Sequence, residues 1–417
     1  MSKKSTLIPI VLVTSLFFLW ALLHNLNPIL IPHLRKAFAL NDLQSSLIDT
    51  SAYISYFVVA IPAGLYMQRY GYKKGILLGL ILYAAGALLV IPAASERSYL
   101  FFLAAIFVIA AGATFLETVA NPYISVLGNR EMATQRLNLA QSFNGLGAVV
   151  APILGGKFIL SGIEHSPEEL AAMGTEKLNL YLQSEADTVK MPYLVIAAVV
   201  FALLLLFIVT KLPEEQGEED DQSHIVGARF SLNIFRHKHF LWAVISQFFY
   251  VGAQVGVLSF FIRYAREVAN MNEKSAAYLL GSIAMVGFML GRFSGTFLMK
   301  YVKPAALLTL YGLLCSGLLA VAIATSGQLA LYAVVAVPFF MSIMYPTIFS
   351  LGIQGLSGEE TKIASSFLVM SIIGGAVVPL LMGLVSVASH SIQIAYLVPL
   401  ICFAIVGYYG WMRRIVS

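Results

Sequence analysis

Twelve long apolar stretches follow one another along the chain, separated by short polar segments. A membrane-spanning helix needs about 20 apolar residues at a rise of about 1.5 Å each. The stretches that are long enough are residues 8–32, 45–67, 74–94, 99–126, 136–160, 190–211, 239–263, 275–299, 304–325, 328–353, 362–387 and 391–412. The pattern therefore predicts an all-α membrane protein with twelve transmembrane helices.

The twelve stretches fall into two groups of six, with a longer polar segment between them. This division predicts an N-terminal six-helix bundle at residues 1–212, a cytoplasmic linker at 213–238 and a C-terminal six-helix bundle at 239–417. The linker has an acidic run before a basic amphipathic piece, which is typical of a solvated connection with a surface-lying helix. Transporters built from two repeats bind their substrate between the repeats.

Lys and Arg mark alternate ends of the predicted spans. They are concentrated at the two termini and after the second, fourth, sixth, eighth and tenth stretches. Under the positive-inside rule this pattern places both termini in the cytoplasm. We therefore expect a multi-pass protein of the bacterial cytoplasmic (inner) membrane.

Composition narrows the class further. The chain is 59% hydrophobic and 11% charged, whereas soluble domains carry about 25% charged residues. The pI is near 9.0, but the basic residues lie in short loops, where they act as topology signals. We therefore expect no nucleic-acid partner. Cys315 and Cys402 both fall in apolar stretches, which gives no support for a disulfide. We expect the protein to lie in the lipid bilayer and to function as a monomer.

The connection between the second and third stretches contains glycines and several cations. This predicts either an ordinary positive-inside loop or, as we favour, a loop that packs closely against a neighbour and binds helix C-termini. Its residues are Gly64, Arg69, Gly71, Lys73 and Lys74. The corresponding loop of the second half is predicted to hold Gly291, Arg292, Gly295, Lys300 and Lys303, which supports an internal repeat.

The most informative side chain is Glu117, which lies deep in the fourth stretch. An ionisable residue inside a span is costly and is a functional-site hypothesis by default. Asn121 follows one helical turn later, beside Pro122, which cannot donate a backbone hydrogen bond. Folding the fourth and fifth spans about residue 130 places Glu117 level with Gln141 and Asn144.

Several other spans carry polar side chains at helical spacing. They are His24, Asn25 and Asn27 in the first span, Asn138, Gln141 and Asn144 in the fifth, Gln247, Tyr250 and Gln254 in the seventh, and Tyr345 in the tenth. One intramembrane amide is as often an interhelical hydrogen bond as a ligand contact, but stripes on several helices favour a polar cavity. Amides beside aromatic faces such as Trp20 suit a neutral sugar.

A charged substrate would require an intramembrane Lys or Arg. Lys157, Arg263 and Arg292 all lie near the ends of predicted spans, where snorkelling to the interface explains them. No metal-ligand spacing, phosphate loop or nucleophile–base set is present, so we expect no enzyme activity and no cofactor.

The chain resembles bacterial L-fucose–proton symporters over nearly its whole length. The resemblance is carried by Leu116–Pro122 (LETVANP), Arg136–Asn144 (RLNLAQSFN), Tyr250–Gln254 (YVGAQ) and Tyr345–Gly352 (YPTIFSLG). These proteins form the fucose/galactose/glucose branch of the major facilitator superfamily. The resemblance implies two pseudo-symmetric six-helix bundles with alternating access. It also implies that Glu117 and Asn144 contribute to sugar binding and that Glu117 takes part in the proton cycle.

One departure from that family concerns the first span. Pro28 stands where the family has an aspartate of its proton relay, and Asp49 in the second span is level with Pro28 when the two spans are folded about residue 38. Our hypothesis is that the carboxylate has moved to the neighbouring helix, with His24 assisting. The alternative is that Asp49 caps the start of the second span.

The sequence thus predicts import of a neutral monosaccharide, L-fucose or a related hexose, by proton symport. Sodium-coupled transport of glucose, galactose or N-acetylglucosamine is the alternative, and a non-transporting sugar sensor is a third. The proton-coupling candidates are Glu117, Asp49 and His24. The substrate-binding candidates are Glu117, Asn144, Gln141, Asn25, Asn27, Trp20, Gln254, Tyr250 and Tyr345.

The relocated carboxylate can be tested by substituting Asp49→Asn. If Asp49 relays protons, this variant strongly lowers sugar-driven proton uptake in membrane vesicles, because an amide cannot be ionised at neutral pH. Proton coupling as in the parent protein would contradict the hypothesis and leave Asp49 as a helix cap.

Overall fold

The computed structural model describes residues 3–25, 42–158, 173–213 and 232–416, together with Phe38 and Glu169. The described part of the N-terminal half consists of helices joined by short turns. Its helices are α1 (Lys3–His24), α2 (Asp42–Ser95), α3 (Tyr99–Val126), α4 (Ala133–Phe158), α5 (Thr175–Asp187) and α6 (Lys190–Val209). Helix α5 lies in the polar segment between the fifth and sixth predicted spans.

The C-terminal half is helical as well. Its helices are α7 (Lys238–Ala269), α8 (Glu273–Leu279), α9 (Met285–Leu298), α10 (Pro304–Ala324), α11 (Gly327–Met341), α12 (Met344–Ile353), α13 (Gly358–Met370), α14 (Gly374–Ser389), α15 (Ile392–Ala395) and α16 (Leu397–Val416). A π-helical segment, Leu280–Ala284, joins α8 to α9, and a 3₁₀ turn, Ser371–Ile373, joins α13 to α14.

The predicted all-α membrane architecture is confirmed in the described part of the chain. Nine helices there are long and apolar enough to cross a membrane, and Ile8–Leu22 is a shorter apolar helix. Some predicted spans are interrupted. The second and third spans are two helical segments within α2 that meet at Gly71, whose φ of 84° and ψ of 172° are not helical. The predicted linker at 213–238 falls mostly outside the described residues, so its role as a domain boundary stays a prediction.

The loop around Gly71 behaves as the sequence indicates. The Lys73 ammonium donates hydrogen bonds to the carbonyls of Ile208 and Thr210, at 3.0 and 2.9 Å, where α6 ends. A cation at a helix C-terminus is stabilised by the unpaired carbonyls and by the helix dipole. Arg69 and Lys74 lie over the ring of Tyr70.

The prediction of a corresponding loop in the second half is wrong in part. Gly291, Arg292 and Gly295 lie inside α9, and the turn that follows is formed by Met299–Lys303. Gly291 allows α9 to approach α11 closely, since a Cβ there would lie 2.1 Å from the Phe339 carbonyl oxygen. The glycines therefore serve packing within the half.

The two halves meet along α4 and α2. We call the end of the molecule that carries Gly71, Gly128, Pro213 and Lys303 the linker end. Three hydrogen bonds cross between the halves towards this end: Thr134 Oγ1 to Ser350 Oγ at 2.8 Å, Gln135 Nε2 to Thr296 O at 3.2 Å, and Asn138 Nδ2 to Thr347 Oγ1 at 3.2 Å.

A close contact at a glycine brings the two halves together at the same end. At Gly64 on α2, a Cβ would lie 1.8 Å from Ser366 Oγ and 3.1 Å from the Lys362 carbonyl oxygen, both on α13. A Cβ at Gly64 would require Ser366 to move and would press against the Lys362 carbonyl, so this approach of α2 and α13 favours glycine.

Substituting Gly64→Ala is therefore expected to separate α2 from α13. Overpacking of this kind costs about 1–3 kcal/mol, and it should lower the thermal unfolding temperature of the purified protein. The matched control is Gly317→Ala inside α10, where nothing lies within 4 Å of the added Cβ, so stability should be unchanged or slightly raised. Equal effects of the two substitutions would contradict the close approach.

Candidate functional site

A cavity of about 190 Å³ lies between the two halves. Helices α1 to α4 line one side of it, and α7, α9, α12 and the turn Ser371–Ile373 line the other. The lining residues are Trp20, Ala21, Asn25, Tyr53, Tyr56, Glu117, Gln141, Asn144, Ala148, Val251, Gln254, Val255, Leu258, Met285, Phe288, Arg292, Tyr345 and Ile372.

Glu117 lies in this cavity, in the middle of α3, and is 7% exposed. The phenol groups of Tyr56 on α2 and Tyr345 on α12 face its carboxylate. These two tyrosines come from different halves of the chain. The carboxylate therefore interacts with both halves at once through neutral hydroxyl groups, which can donate hydrogen bonds to an anion.

Asn121 supports this region from behind and does not line the cavity. Its amide Nδ2 donates to the carbonyl of Glu117 at 2.8 Å, and its Oδ1 accepts from Gln141 Nε2 at 3.2 Å. Asn121 thereby fixes the orientation of Gln141 relative to Glu117. Glu117 was expected at the same depth as Gln141 and Asn144. This is confirmed, since all three side chains line the same cavity.

The stripe of amides on α4 divides between two tasks. Gln141 and Asn144 line the cavity, whereas Asn138 is fully buried and donates to Thr347 of the other half. The sequence pattern therefore located the polar face of α4 correctly, but only part of that face is available to a ligand.

The largest correction concerns Arg292, which does not snorkel. Its side chain is 4% exposed and lines the cavity from α9. Its Nη1 donates to the carbonyl of Gln141, to Gln141 Oε1 at 3.2 Å and to Asn144 Oδ1 at 3.2 Å. Its Nε donates to the Ser342 carbonyl at 2.9 Å, and the guanidinium lies 4.7 Å over the ring of Phe288. Arg292 thus links the C-terminal half to the two cavity amides of α4.

The structure brings seven of the predicted substrate-binding residues to the cavity: Trp20, Asn25, Glu117, Gln141, Asn144, Gln254 and Tyr345. Tyr250 is fully buried behind the lining, with its ring 6.5 Å from that of Tyr345. Asn27 and the side chains of His24 and Asp49 lie outside the described residues.

The sequence analysis missed Tyr53, Tyr56 and Arg292. The two tyrosines are three residues apart on the second predicted span, which is helical spacing for one face. That spacing was a usable signal. No such sequence signal pointed to Arg292, because the tight packing of Gly291 that buries this part of α9 is visible only in three dimensions.

These features define a membrane transporter fold, in which two helical halves enclose a polar cavity within the membrane. The chain belongs to the Major Facilitator Superfamily, whose family model matches residues 12–379. The superfamily consists of transporters and not of enzymes.

Curated relatives and a solved structure agree with this assignment. The chain is 44% identical to the L-fucose-proton symporter of Escherichia coli (strain K12), over 99% of this chain and 94% of that protein. It is 39% identical to a glucose/galactose transporter of Brucella abortus, over 98% and 95%. A crystal structure of the transporter FucP in the outward conformation superposes with a TM-score of 0.90 at 43% identity, covering 98% of this chain and 99% of that one.

The buried role of Arg292 can be tested by Arg292→Lys. A single ammonium cannot reach Gln141, Asn144 and Ser342 together as the planar guanidinium does. Leaving buried acceptors unpaired costs about 1–3 kcal/mol, so the purified protein should unfold at a lower temperature. Arg263→Lys is the control, because Arg263 also lies over a phenylalanine ring, that of Phe260 at 4.2 Å, but is exposed. Equal losses in the two variants would contradict the difference in environment.

Proposed function

We propose that this chain imports a neutral monosaccharide, L-fucose or a related hexose, by proton symport with alternating access. The observation that carries the proposal is the position of Glu117. This carboxylate lies in a membrane-embedded cavity beside the side-chain amides of Gln141 and Asn144, which can hydrogen-bond the hydroxyl groups of a sugar. It also faces phenols of both halves. The names of the curated relatives, an L-fucose-proton symporter and a glucose/galactose transporter, support the same substrate class.

The chemistry of the cavity suits an uncharged polyol. Amides and phenols both donate and accept hydrogen bonds, as hydroxyl groups do. Trp20 and Phe288 present faces against which the C–H groups of a pyranose ring can pack. The cation of Arg292 is already surrounded by acceptors from Gln141, Asn144 and Ser342, so a charged substrate is not needed to neutralise it.

Glu117 is the proposed carrier of the proton. When it is ionised, its carboxylate accepts from Tyr56 and Tyr345; when it is protonated, it can donate to one of them or to a sugar hydroxyl. A charge in a dry, membrane-embedded cavity is unfavourable. Protonation therefore favours the closed, sugar-loaded cavity, and hydration after opening favours release of the proton.

Alternating access requires the contacts at the linker end to break. Beyond the hydrogen bonds of Thr134 and Asn138 with α12 lies a second cavity of about 390 Å³, lined by residues that include Thr134, Lys303 and Ser350. With the linker end in the cytoplasm, as the charge pattern predicts, sugar leaves the central cavity by this route once the halves separate there. Both walls of the site come from one chain, so a monomer is sufficient.

The coupling ion is tested by uptake of labelled L-fucose into proteoliposomes. An inward proton gradient in sodium-free buffer should drive accumulation, and an inward sodium gradient at equal pH should not. Accumulation that follows only the sodium gradient would replace the proton by sodium as the coupling ion. Sugar binding without any uptake or exchange would indicate a sensor.

Glu117→Gln separates binding from coupling. Glutamine imitates the protonated acid in shape and neutrality, so exchange of sugar down its own gradient should continue, while proton-driven accumulation is abolished. The control is Glu267→Gln, an exposed residue near the end of α7, which should behave like the parent protein. Proton-driven accumulation in Glu117→Gln would contradict the assigned role.

A further inference from the structure

A groove of about 460 Å³ lies between the two halves at the linker end, and it shares no lining residue with the central cavity. None of its side chains takes part in the proposed sugar or proton steps. We call it the lateral groove. Its lining residues are Met132, Gln135, Arg136, Leu139, Phe293, Thr296, Phe297 and Lys300.

The lateral groove is formed by one stripe of residues from each half. Residues 132, 135, 136 and 139 come from the start of α4 and the turn before it, and residues 293, 296, 297 and 300 come from the end of α9 and the turn after it. Both stripes have spacings of three and four residues, which is typical of one helix face. Gln135 Nε2 donates to the Thr296 carbonyl at 3.2 Å between them. The groove therefore follows the line along which the two halves meet.

The apolar residues of the groove are open to the outer surface of the spans. Met132, Leu139, Phe293 and Phe297 are 51%, 46%, 41% and 54% exposed. Exposed apolar side chains are ordinary on a surface that contacts lipid, but here they line a recess between two helices. An acyl chain that fills this recess gains dispersion contacts on both of its sides.

Two cations accompany this apolar lining. The ammonium of Lys300 is exposed and lies 5.3 Å from the centre of the Phe297 ring. The guanidinium of Arg136 donates to three backbone carbonyls around the C-terminal end of α3. Within the described part of the chain, neither cation lies within 4 Å of a carboxylate. Glu131 lines the other cavity at this end. The groove therefore has a positive charge that an anionic ligand can balance.

The charged and the apolar parts of the groove lie at different depths. Lys300 follows the end of α9, whereas Phe293 lies seven residues, or about 10 Å, further into the span. On the other side, Arg136 is close to the start of α4 and Leu139 lies about one turn deeper. The cations are thus near the membrane surface and the apolar recess extends inward. A phospholipid has its phosphate and its acyl chains in the same order.

We propose that the lateral groove binds an anionic phospholipid of the cytoplasmic leaflet, with an acyl chain between α4 and α9 and the phosphate beside Lys300 and Arg136. This inference goes beyond the proposed function and does not depend on which sugar is carried. With the linker end in the cytoplasm, as the charge pattern predicts, the groove faces the leaflet whose anionic headgroups attract basic sites between spans.

The proposal also states which lipids bind weakly and what a bound lipid does. A zwitterionic phospholipid fits the apolar recess equally well, but its headgroup brings a cation of its own beside Lys300. An anionic phospholipid contacts both halves at the linker end. It therefore favours the state in which the halves are joined there, because separation of α4 from α9 removes the groove.

The test is native mass spectrometry of the purified protein in a non-ionic detergent, titrated with dioleoylphosphatidylglycerol or with dioleoylphosphatidylcholine. The dissociation constant of the first bound lipid should be at least about five-fold lower for phosphatidylglycerol, since each basic residue near an anionic lipid contributes about that factor. Equal constants for the two lipids would overturn the proposal. Inorganic phosphate in excess should not displace the lipid, and displacement would show a site for a free anion instead.

Two variants, one from each half, locate the bound lipid. Lys300→Gln should weaken phosphatidylglycerol binding by about five-fold and leave phosphatidylcholine unchanged. Leu139→Trp fills the recess without changing any charge, so it should weaken the binding of both lipids. Leu139 is half exposed, so this variant loses little packing and should fold.

The matched control is Lys238→Gln. Lys238 is an exposed lysine at the start of α7, and it lies outside the groove but on the side predicted to be cytoplasmic. This variant should keep the dissociation constants of the parent protein. Parent-like binding of phosphatidylglycerol in both groove variants would overturn the proposal, because the lipid would then bind elsewhere.

Discussion

Two buried ionisable groups, the carboxyl group of Glu117 and the guanidinium of Arg292, lie in one cavity on different halves of the chain, and much of the site is arranged around their burial. Moving either charge out of water costs several kcal/mol unless other groups replace its hydration. For Arg292 the replacement is provided by oxygens of Gln141, Asn144 and Ser342. For Glu117 the phenols of Tyr56 and Tyr345 face the carboxylate. Most of these contacts cross between the halves, so they exist only while the halves are together. When the halves separate, these contacts are lost and water must solvate the two groups, so the movement and the change in solvation occur together.

The C-terminal helices are interrupted at the level of this cavity. The π-helical segment Leu280–Ala284 ends just before Met285, α11 and α12 are separated at Ser342, and the 3₁₀ turn contains Ile372. Irregular backbone inside a membrane is tolerated where it is buried or lines a cavity. Ser342 shows the use of such an interruption, because its carbonyl accepts from Arg292. The breaks thus supply both a binding group and positions where a helix can bend.

The polar residues of the site could largely be predicted from the sequence, because a glutamate or a stripe of amides has few explanations inside an apolar span. Glu117, Gln141 and Asn144 were found in this way, and their common depth followed from folding one hairpin. Arg292 could not be found, since a cation near the end of a predicted span looks the same whether it reaches the interface or turns inward. Its inward position depends on how α9 packs against α4 and α11. The break at Gly71 was predicted, because glycines and a cluster of cations mark the connection between the second and third stretches.

The central claim is that entry of sugar and entry of a proton are one process that runs through Glu117. The most direct measurement uses proteoliposomes that contain a pH-sensitive dye, in sodium-free buffer and without any imposed pH gradient. When L-fucose or another transported hexose is added outside, the account predicts that the interior becomes more acidic in step with sugar entry. Sugar entry at a normal rate with no change in internal pH would contradict it.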